Sequence, residues 1–393
     1  MFDRPGSGEK AVLVQLDFGE GDFAERLSEF ELLIVSAAAV SVGVVTGRRS
    51  APDAALFAGK GKVAEIAEFA DSHGADLVVF NHALSPAQQR NLERQLKRRV
   101  VDRNTLILDI FALRANSHEG KLQVELAQLQ HMATRLVRGW THLDREKGGV
   151  GMRGPGEKQL ETDRRLLGKR VALLKDRLKV LERQRGVRRK SRSRAEVLSV
   201  SLVGYTNAGK STLFNALTKA GAYAADKLFA TLDTTSRRLY VDGAGQIVLS
   251  DTVGFIRDLP HALVAAFHAT LEETAQADLL LHVVDAASPA REQQIDSVNQ
   301  VLAEIGAADV PQILIWNKID ATLVAPGIDR EDETSIANNA PNSAYGKIRR
   351  IRLSAKCGEG LSLLRDALTQ VSNSRIPSIS SYETLPNTES EIA

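Results

Sequence analysis

Short apolar runs alternate with amphipathic helical patterns through the first 115 residues of the chain. The helical patterns cover Gly61–Ser72 and Ser85–Lys97, and the second opens on Ser85-Pro86, a typical helix start. The apolar runs have the length and composition of buried strands, and they are Ala11–Leu16, Val40–Val45 and Ala75–Phe80. Strands that alternate with helices predict a small α/β domain with a largely parallel sheet over residues 1–115.

Apolar side chains recur at spacings of four and three beyond this domain and predict two long helices. The first stripe is Leu122, Leu126, Leu129, Ala133 and Leu136, and the second is Leu160, Leu167, Val171, Leu174, Leu178 and Leu181. A Gly-rich break at residues 148–156 separates them, so the helices should fold back as an antiparallel hairpin over residues 116–186. We interpret the stripes as packing, and the basic outer face and the tip loop with Arg153 as the functional candidates.

Gly186 and the basic run after it predict the end of the second helix and a linker over residues 187–194. Residues 195–372 then have the pattern of a second α/β domain, with strands expected at Val197–Val203, Gln246–Leu249, Gln312–Trp316 and Ile348–Leu353. The polar stretch Ala325–Lys347 and the tail 373–393 are predicted to be disordered.

Positive charge is concentrated in one segment, although the whole chain carries only +2. Residues 164–194 hold 14 Lys and Arg against two acids and carry +12, so the rest of the chain carries −10. Such a segment fits either a polyanionic partner, most simply nucleic acid, or a solvated helix face followed by a linker.

Composition indicates a reducing compartment. Cys357 is the single cysteine, which excludes a disulfide framework. The first ten residues lack the apolar core of a signal peptide, and no apolar run is long enough for a membrane helix. We therefore expect a cytoplasmic protein without a membrane span, part of which can lie peripherally at the membrane.

A glycine-rich loop follows the strand at Val197–Val203 and precedes a helical pattern. It has the G-x-x-x-x-G-K-S spacing of a phosphate-binding loop, formed by Gly204, Tyr205, Thr206, Asn207, Ala208, Gly209, Lys210 and Ser211. Backbone N–H groups and the helix dipole attract phosphate oxygens there. Lys210 is expected to contact the β- and γ-phosphates, and the Ser211 hydroxyl to bind Mg²⁺. This loop alone does not distinguish GTP from ATP.

Three further elements are expected at the nucleotide, and the second of them, through Asp320, predicts that it is GTP or GDP. After a strand come Asp251, Thr252, Val253 and Gly254, where the carboxylate is expected to hold Mg²⁺ through water and the glycine N–H to approach the γ-phosphate. After another come Asn317, Lys318, Ile319 and Asp320. The Asp320 carboxylate can accept hydrogen bonds from N1–H and the exocyclic amine of guanine, a pair of donors that adenine lacks. The last element is Ser354, Ala355 and Lys356, where a backbone N–H can reach the guanine O6.

The segment between the first two elements is expected to act as a switch. It contains Phe229, Ala230, Thr231, Leu232 and Asp233, all expected at the nucleotide. Thr231 is the preferred second Mg²⁺ ligand, with Thr234 and Thr235 as alternatives. This segment and the one after Asp251 are predicted to be ordered by GTP and released on hydrolysis.

These motifs together resemble the HflX family of translation-factor-related P-loop GTPases over about residues 10–370. The resemblance lies in Phe229–Asp233, Asp251–His261, Gly148–Glu161, Asp163–Arg165, Gly59–Lys62 and Val101–Arg103. It implies that the N-terminal domain and the basic hairpin bind the large (50S) ribosomal subunit and its rRNA, and that the protein splits stalled ribosomes, notably under heat stress. One departure is Thr234, where the family usually has proline.

The expected fold is therefore α/β: a P-loop GTPase domain, with a mixed sheet and helices on both faces, preceded by a small α/β domain and an antiparallel helical hairpin. Lys210 and Gly254 are expected to stabilise charge during hydrolysis. Phe255 stands where other GTPases place a water-orienting glutamine, so no general base is assigned and hydrolysis should be slow without the ribosome. We expect a monomer when free.

Two other functions remain open from the sequence. One is ATP-dependent RNA remodelling, with a second nucleotide site in the N-terminal part near Gly59-Lys60-Gly61-Lys62. The other is a GTP-gated, non-catalytic ribosome-binding factor that blocks subunit joining.

Overall fold

The computed structural model contains two α/β units joined by a helical hairpin. It describes residues 8–19, 21–136, 155–193, 197–218, 228–229, 231–260, 263, 266–267, 271, 273–330 and 348–375. Within these residues no helix is both long and apolar enough to cross a bilayer.

The N-terminal unit is a four-stranded parallel sheet in the order β2-β1-β3-β4. Its strands are β1 (Lys10–Asp17), β2 (Val40–Arg48), β3 (Leu77–Phe80) and β4 (Arg99–Asp102), and its helices are α1 (Phe23–Ser36), α2 (Lys60–Ser72), α3 (Pro86–Leu96) and α4 (Arg103–Arg114). The three predicted strands and two predicted helices are confirmed, whereas α1, β4 and α4 were not predicted. Ser85 begins α3 as expected, since its hydroxyl accepts from Gln88 N at 3.2 Å in a capping box.

The hairpin consists of α5 (His118–Leu136) and α6 (Pro155–Ser193), which pack along each other. Leu122 and Leu126 on α5, and Leu174 and Leu178 on α6, are buried as the leucine stripes predict. Residues 137–154, which include the predicted tip loop, lie outside the described part of the chain.

Two predictions of irregular structure are wrong. Helix α6 does not end at Gly186 but continues to Ser193, so residues 187–193 are helical rather than a linker. A helical glycine costs only about 1 kcal/mol relative to alanine, and the flanking Arg and Lys are good helix formers. In the stretch predicted as disordered, Gly327–Arg330 forms an edge strand, while residues 331–347 lie outside the described residues.

The C-terminal unit is a seven-stranded mixed sheet in the order β10-β11-β9-β8-β5-β7-β6. Both edge strands, β10 and β6, run antiparallel to their neighbours. The strands are β5 (Leu198–Gly204), β6 (Thr235–Val241), β7 (Gly245–Asp251), β8 (Leu279–Asp285), β9 (Gln312–Asn317), β10 (Gly327–Arg330) and β11 (Ile348–Arg352). The helices of this unit are α7 (Lys210–Thr218), α8 (Arg291–Glu304) and α9 (Leu361–Arg375).

Helices cover both faces of this sheet, as predicted. On β8, Leu279 and Leu281 belong to the same core as α7 and α9, whereas Leu280 belongs to the core that contains α8. This second core is shared with the N-terminal unit and the hairpin, because Phe111 of α4 packs against Phe229 at 4.7 Å and Phe267 at 5.3 Å between ring centroids.

Replacing Gly186 by alanine tests the continuity of α6. An added Cβ would meet nothing within 4 Å, so Gly186→Ala should raise the free energy of unfolding by roughly 0.5–1 kcal/mol in a continuous helix. Gly168→Ala, also with open space in α6, is the matched positive control. Denaturant unfolding measures both variants. Stabilisation by Gly168→Ala together with a loss of stability in Gly186→Ala would contradict the continuous helix.

Candidate nucleotide site

The phosphate loop joins the end of β5 to the start of α7, at the carboxyl edge of the parallel strands. Gly204 and Gly209 adopt φ values of 145° and 92°, a region that disfavours side chains. A Cβ would also clash with the Val283 carbonyl at Gly204 and with the Asn317 amide at Gly209. Both positions therefore require glycine.

Lys210 begins α7 and is buried inside the loop. Its Nζ donates to the carbonyl oxygens of Gly204 at 2.9 Å and Tyr205 at 2.8 Å. Burial lowers the pKa of the lysine to about 8, although nearby Asp251 acts in the opposite direction. An anionic ligand at this ammonium would favour its charged form, as phosphate does.

Three oxygen-bearing side chains from separate elements meet beside the loop. Ser211 Oγ lies 2.7 Å from Thr231 Oγ1, and each hydroxyl donates to Asp251 Oδ2 at 2.8 Å. Asp251 Oδ1 is buried without a hydrogen-bond partner among the described residues, and burial raises the pKa of this carboxyl. Hydroxyl and carboxylate oxygens are the donor types that Mg²⁺ prefers, so these residues fit the metal.

This cluster distinguishes the three candidate threonines. Thr231 joins Ser211 and Asp251, whereas Thr235 lies at the start of β6 and its hydroxyl is directed to the Asp233 carbonyl at 3.5 Å. The Thr234 hydroxyl is buried and has no partner within the described residues. Of the three candidate threonines, Thr231 is therefore the one placed with Ser211 and Asp251.

The predicted base-recognition residues lie in two neighbouring loops that are bonded to the phosphate loop. Asn317 donates from Nδ2 to the Ala208 carbonyl and accepts at Oδ1 from Ala355 N, both at 2.9 Å. The Asp320 carboxylate accepts from the Ser354 hydroxyl at 2.6 Å. Lys318 contacts Asp285 at 2.7 Å, a partner that the sequence did not reveal. Lys356 is exposed beside them.

The residues after Asp251 are largely buried. Thr252 donates to the Leu202 carbonyl at 2.6 Å, and Val253 and Phe255 belong to the shared core. Phe255 N donates to Gly204 O at 3.1 Å, and its own carbonyl accepts from Thr206 N at 2.7 Å. The backbone of this segment is thus bonded to the phosphate loop while the phenyl ring, 1 % exposed, packs in the core.

Four residues predicted at the nucleotide direct their side chains to the N-terminal unit or the hairpin. Phe229 and Leu232 are buried in the shared core, Tyr205 Oη is bonded to the Glu29 carboxylate, and the Asp233 carboxylate is bonded to residues before α5. The sequence places them in nucleotide-binding motifs but does not show that the N-terminal unit packs against these motifs. Ala230 lies outside the described residues.

A buried polar network behind the phosphate loop was not predicted. Glu29 of α1 pairs with Arg103 at 2.6 Å, and Arg103 also donates to the Arg257 carbonyl at 3.1 Å. Arg257 N donates to Tyr205 Oη at 2.9 Å. Burial, and then the Glu29 charge, raise the pKa of Tyr205. The network joins the N-terminal unit to both the phosphate loop and the segment after Asp251, the second of the two predicted switches.

The N-terminal run proposed for a second nucleotide site forms the start of α2. Lys62 donates to the Thr46 carbonyl at 2.9 Å and pairs with Glu65 at 2.7 Å. This lysine is therefore bonded to the protein itself, and the second nucleotide site stays a prediction.

Three protein-family profiles match the chain in sequence order. They are the GTP-binding GTPase N-terminal domain at residues 24–112, the GTP-binding GTPase middle region at residues 114–192, and the 50S ribosome-binding GTPase at residues 199–318.

Close relatives and one solved structure extend the comparison. The chain is 57 % identical to the GTPase HflX of Escherichia coli K12 over 371 residues, which cover 94 % of this chain and 84 % of that one. It is 47 % identical to the GTPase HflX of Caldanaerobacter subterraneus, with 84 % and 77 % covered. The crystal structure of the SsGBP and GDP complex matches with a TM-score of 0.51 and 25 % identity, covering 93 % of this chain and 99 % of that one.

The lowered pKa of Lys210 predicts proton uptake when nucleotide binds. With a pKa of about 8, Lys210 should be neutral in about half of the nucleotide-free molecules at pH 8. Bound phosphates should raise this pKa towards its usual value, so nucleotide binding above pH 8 should be accompanied by proton uptake. Titration calorimetry with GDP at pH 8.5, in two buffers of different ionisation enthalpy, measures this uptake. Lys210→Arg, which stays charged, should show none. Equal binding enthalpies in both buffers for the unmodified chain would contradict the assignment.

Proposed function

Because the chain belongs to the HflX family of GTPases, we propose that it uses its GTP cycle on the large ribosomal subunit to split or rescue stalled ribosomes under stress. The GTPase activity itself follows from the family. The ribosomal target, the metal and the site residues are the parts that are proposed.

The observation that carries the GTP cycle in this proposal is the cluster of Ser211, Thr231 and Asp251 next to buried Lys210, and the ribosomal target is supported by the match to the 50S ribosome-binding GTPase family. Two hydroxyls and one carboxylate within 2.8 Å of each other suit a magnesium ion beside the β- and γ-phosphates. We assign Ser211 and Thr231 as direct ligands and Asp251 as a ligand through water. Bound Mg²⁺ would neutralise charge on the phosphate oxygens.

The chain's own groups then have separate roles in hydrolysis. Lys210 stabilises charge on the β- and γ-phosphates, and Gly254 offers its N–H to the γ-phosphate. Phe255 cannot orient the attacking water, since its ring is packed in the core. With no water-orienting side chain at that position, we assign this step to a group supplied by the ribosome, as other GTPases receive one in trans.

The surface assigned to ribosomal RNA is the outer face of α6. Basic side chains are exposed along it, including Arg164, Arg165, Lys169, Lys175 and Lys179. Such a row favours contact with the phosphates of structured RNA.

The sequence also allowed a non-catalytic ribosome-binding factor that is gated by GTP. Because the chain belongs to a family of GTPases, this alternative is excluded. In the proposed cycle the protein binds the ribosome with GTP and leaves it after hydrolysis.

Stimulation by ribosomal subunits tests this function. Purified large subunits should raise the GTPase rate by roughly 100-fold or more, because they complete a site that lacks a water-orienting group. Small subunits are the matched control, and Lys210→Ala should remove both basal and stimulated rates. A rate that large subunits leave unchanged would overturn the proposal.

Replacing Asp320 by asparagine tests guanine recognition. Asparagine presents an amide N–H₂ that suits the C2 carbonyl of xanthine, whereas the carboxylate suits the C2 amine of guanine. Asp320→Asn should therefore weaken GTP binding by roughly 100-fold or more and improve XTP binding. Competition titrations with fluorescent nucleotides measure both. Retained preference for GTP would show that Asp320 does not read the base.

A further inference from the structure

The Asp233 carboxylate binds the junction between the N-terminal unit and the hairpin. Its Oδ2 accepts from Asn116 N at 3.0 Å and from Ser117 N at 2.7 Å, and its Oδ1 accepts from the Ser117 hydroxyl at 2.5 Å. Residues 116–117 lie between α4 and α5. Three hydrogen bonds thus connect the first switch segment to the point where the hairpin begins.

Ser117 is also the N-terminal cap of α5. Its hydroxyl oxygen accepts from Gly120 N at 2.8 Å while donating to Asp233. The carboxylate therefore lies at the positive end of the helix dipole, where negative charge is favourable. Gly120 provides the space, because a Cβ at this position would collide with Asp233 Oδ1.

The other end of the same short segment is the proposed magnesium ligand. Thr231 precedes Asp233 by two residues, and two residues of chain span at most about 7 Å. Leu232 between them is 2 % exposed and packs in the shared core. A displacement of Thr231 is therefore transmitted over a short distance to the first turn of α5.

The residues before Thr231 are held on the same side. Leu228 N donates to the Ser36 hydroxyl of α1 at 2.9 Å, and the ring of Phe229 packs on Phe111 of α4. The segment is thus fixed to the N-terminal unit at one end and to the hairpin at the other. Thr231 is its connection to the metal-binding oxygens.

We propose that Asp233 is a positioning residue that couples the GTP-bound placement of Thr231 to the first turn of hairpin helix α5. The proposal rests on the proposed function and adds how the nucleotide state reaches the hairpin. With GTP and Mg²⁺, Thr231 stays on the metal and the cap on α5 is kept; after phosphate release Thr231 is freed and the cap loosens. Linkage makes the effect reciprocal, so the cap also favours GTP over GDP.

Asp233→Asn should lower the preference for GTP. Asparagine has an amide N–H₂ where aspartate has its second carboxylate oxygen, so it loses part of the contact with Asn116 and Ser117. The affinity for a non-hydrolysable GTP analogue with Mg²⁺ should therefore fall by roughly five- to tenfold, which corresponds to the usual cost of a lost helix cap. GDP affinity should change less than about twofold, because GDP has no γ-phosphate for the Thr231 segment to sense. Asp242→Asn, an exposed aspartate in the turn between β6 and β7, is the matched control and should leave both affinities unchanged.

Gly120→Ala provides a second variant that keeps the carboxylate. Alanine favours the helix, but its Cβ occupies the position of Asp233 Oδ1. It should reproduce the loss of GTP preference without a loss of α5 stability. An unchanged ratio of GTP-analogue to GDP affinity in both variants would overturn the coupling.

Hydrogen exchange tests the same coupling in the unmodified chain. The amides of Asn116, Ser117 and Gly120 should exchange more slowly with the GTP analogue than with GDP, and Asp233→Asn should remove the difference. Equal exchange in the two nucleotide states of the unmodified chain would refute the proposal.

GTPase stimulation by large subunits, measured on the same samples, separates the two proposals. If the unmodified chain is stimulated and the affinity ratio does not respond to either variant, only the coupling fails. If the unmodified chain is not stimulated, the proposed function fails whatever the ratio shows.

Discussion

The contact of Thr231 and Ser211 with the buried Asp251 carboxylate is the constraint on which the arrangement of this protein depends. Thr231 lies in the first segment predicted to act as a switch, Ser211 in the phosphate-loop helix and Asp251 at the end of β7, and their oxygens lie within 2.8 Å of each other. Asp251 is almost fully buried, so its charge needs hydroxyl partners, Lys210 or a cation. The segment around Thr231 therefore contacts the GTPase domain through Thr231. On either side of this residue it is bonded to the N-terminal unit and to the start of the hairpin.

The segment after Asp251, the second predicted switch, is held by a different kind of interaction. Arg103 and Glu29 form an ion pair that is largely withdrawn from water, and Tyr205 and the Arg257 backbone complete it. Removing one member of such a pair typically costs about 3–5 kcal/mol, because the remaining charge stays buried. The N-terminal unit is thereby connected to the phosphate loop and to both segments that are predicted to act as switches.

The features that could be predicted from the sequence are those that short local motifs encode. The phosphate loop lies between a strand and a helix, and the strand, the glycine-rich turn and the helix each have a recognisable pattern of residues in the sequence. Helix α4 left no such pattern, since Leu106 through Phe111 are all buried and show no amphipathic period. The choice of Thr231 over Thr234 and Thr235 depends on its contacts with Ser211 and Asp251, each 20 positions away. The turn of Asp233 towards Ser117 depends on a contact between residues 116 positions apart, and no local pattern contains either kind of contact. Gly186 gave a wrong prediction of a helix end, because the helix formers around it outweigh the cost of one glycine.

We propose that the nucleotide bound to the GTPase domain controls how tightly the basic hairpin binds the ribosome. Co-sedimentation of the full chain with purified large ribosomal subunits, in the presence of a non-hydrolysable GTP analogue, GDP or no nucleotide, tests it most directly. We expect retention on the subunit with the GTP analogue and weak retention with GDP. Equal retention in all three conditions would contradict it.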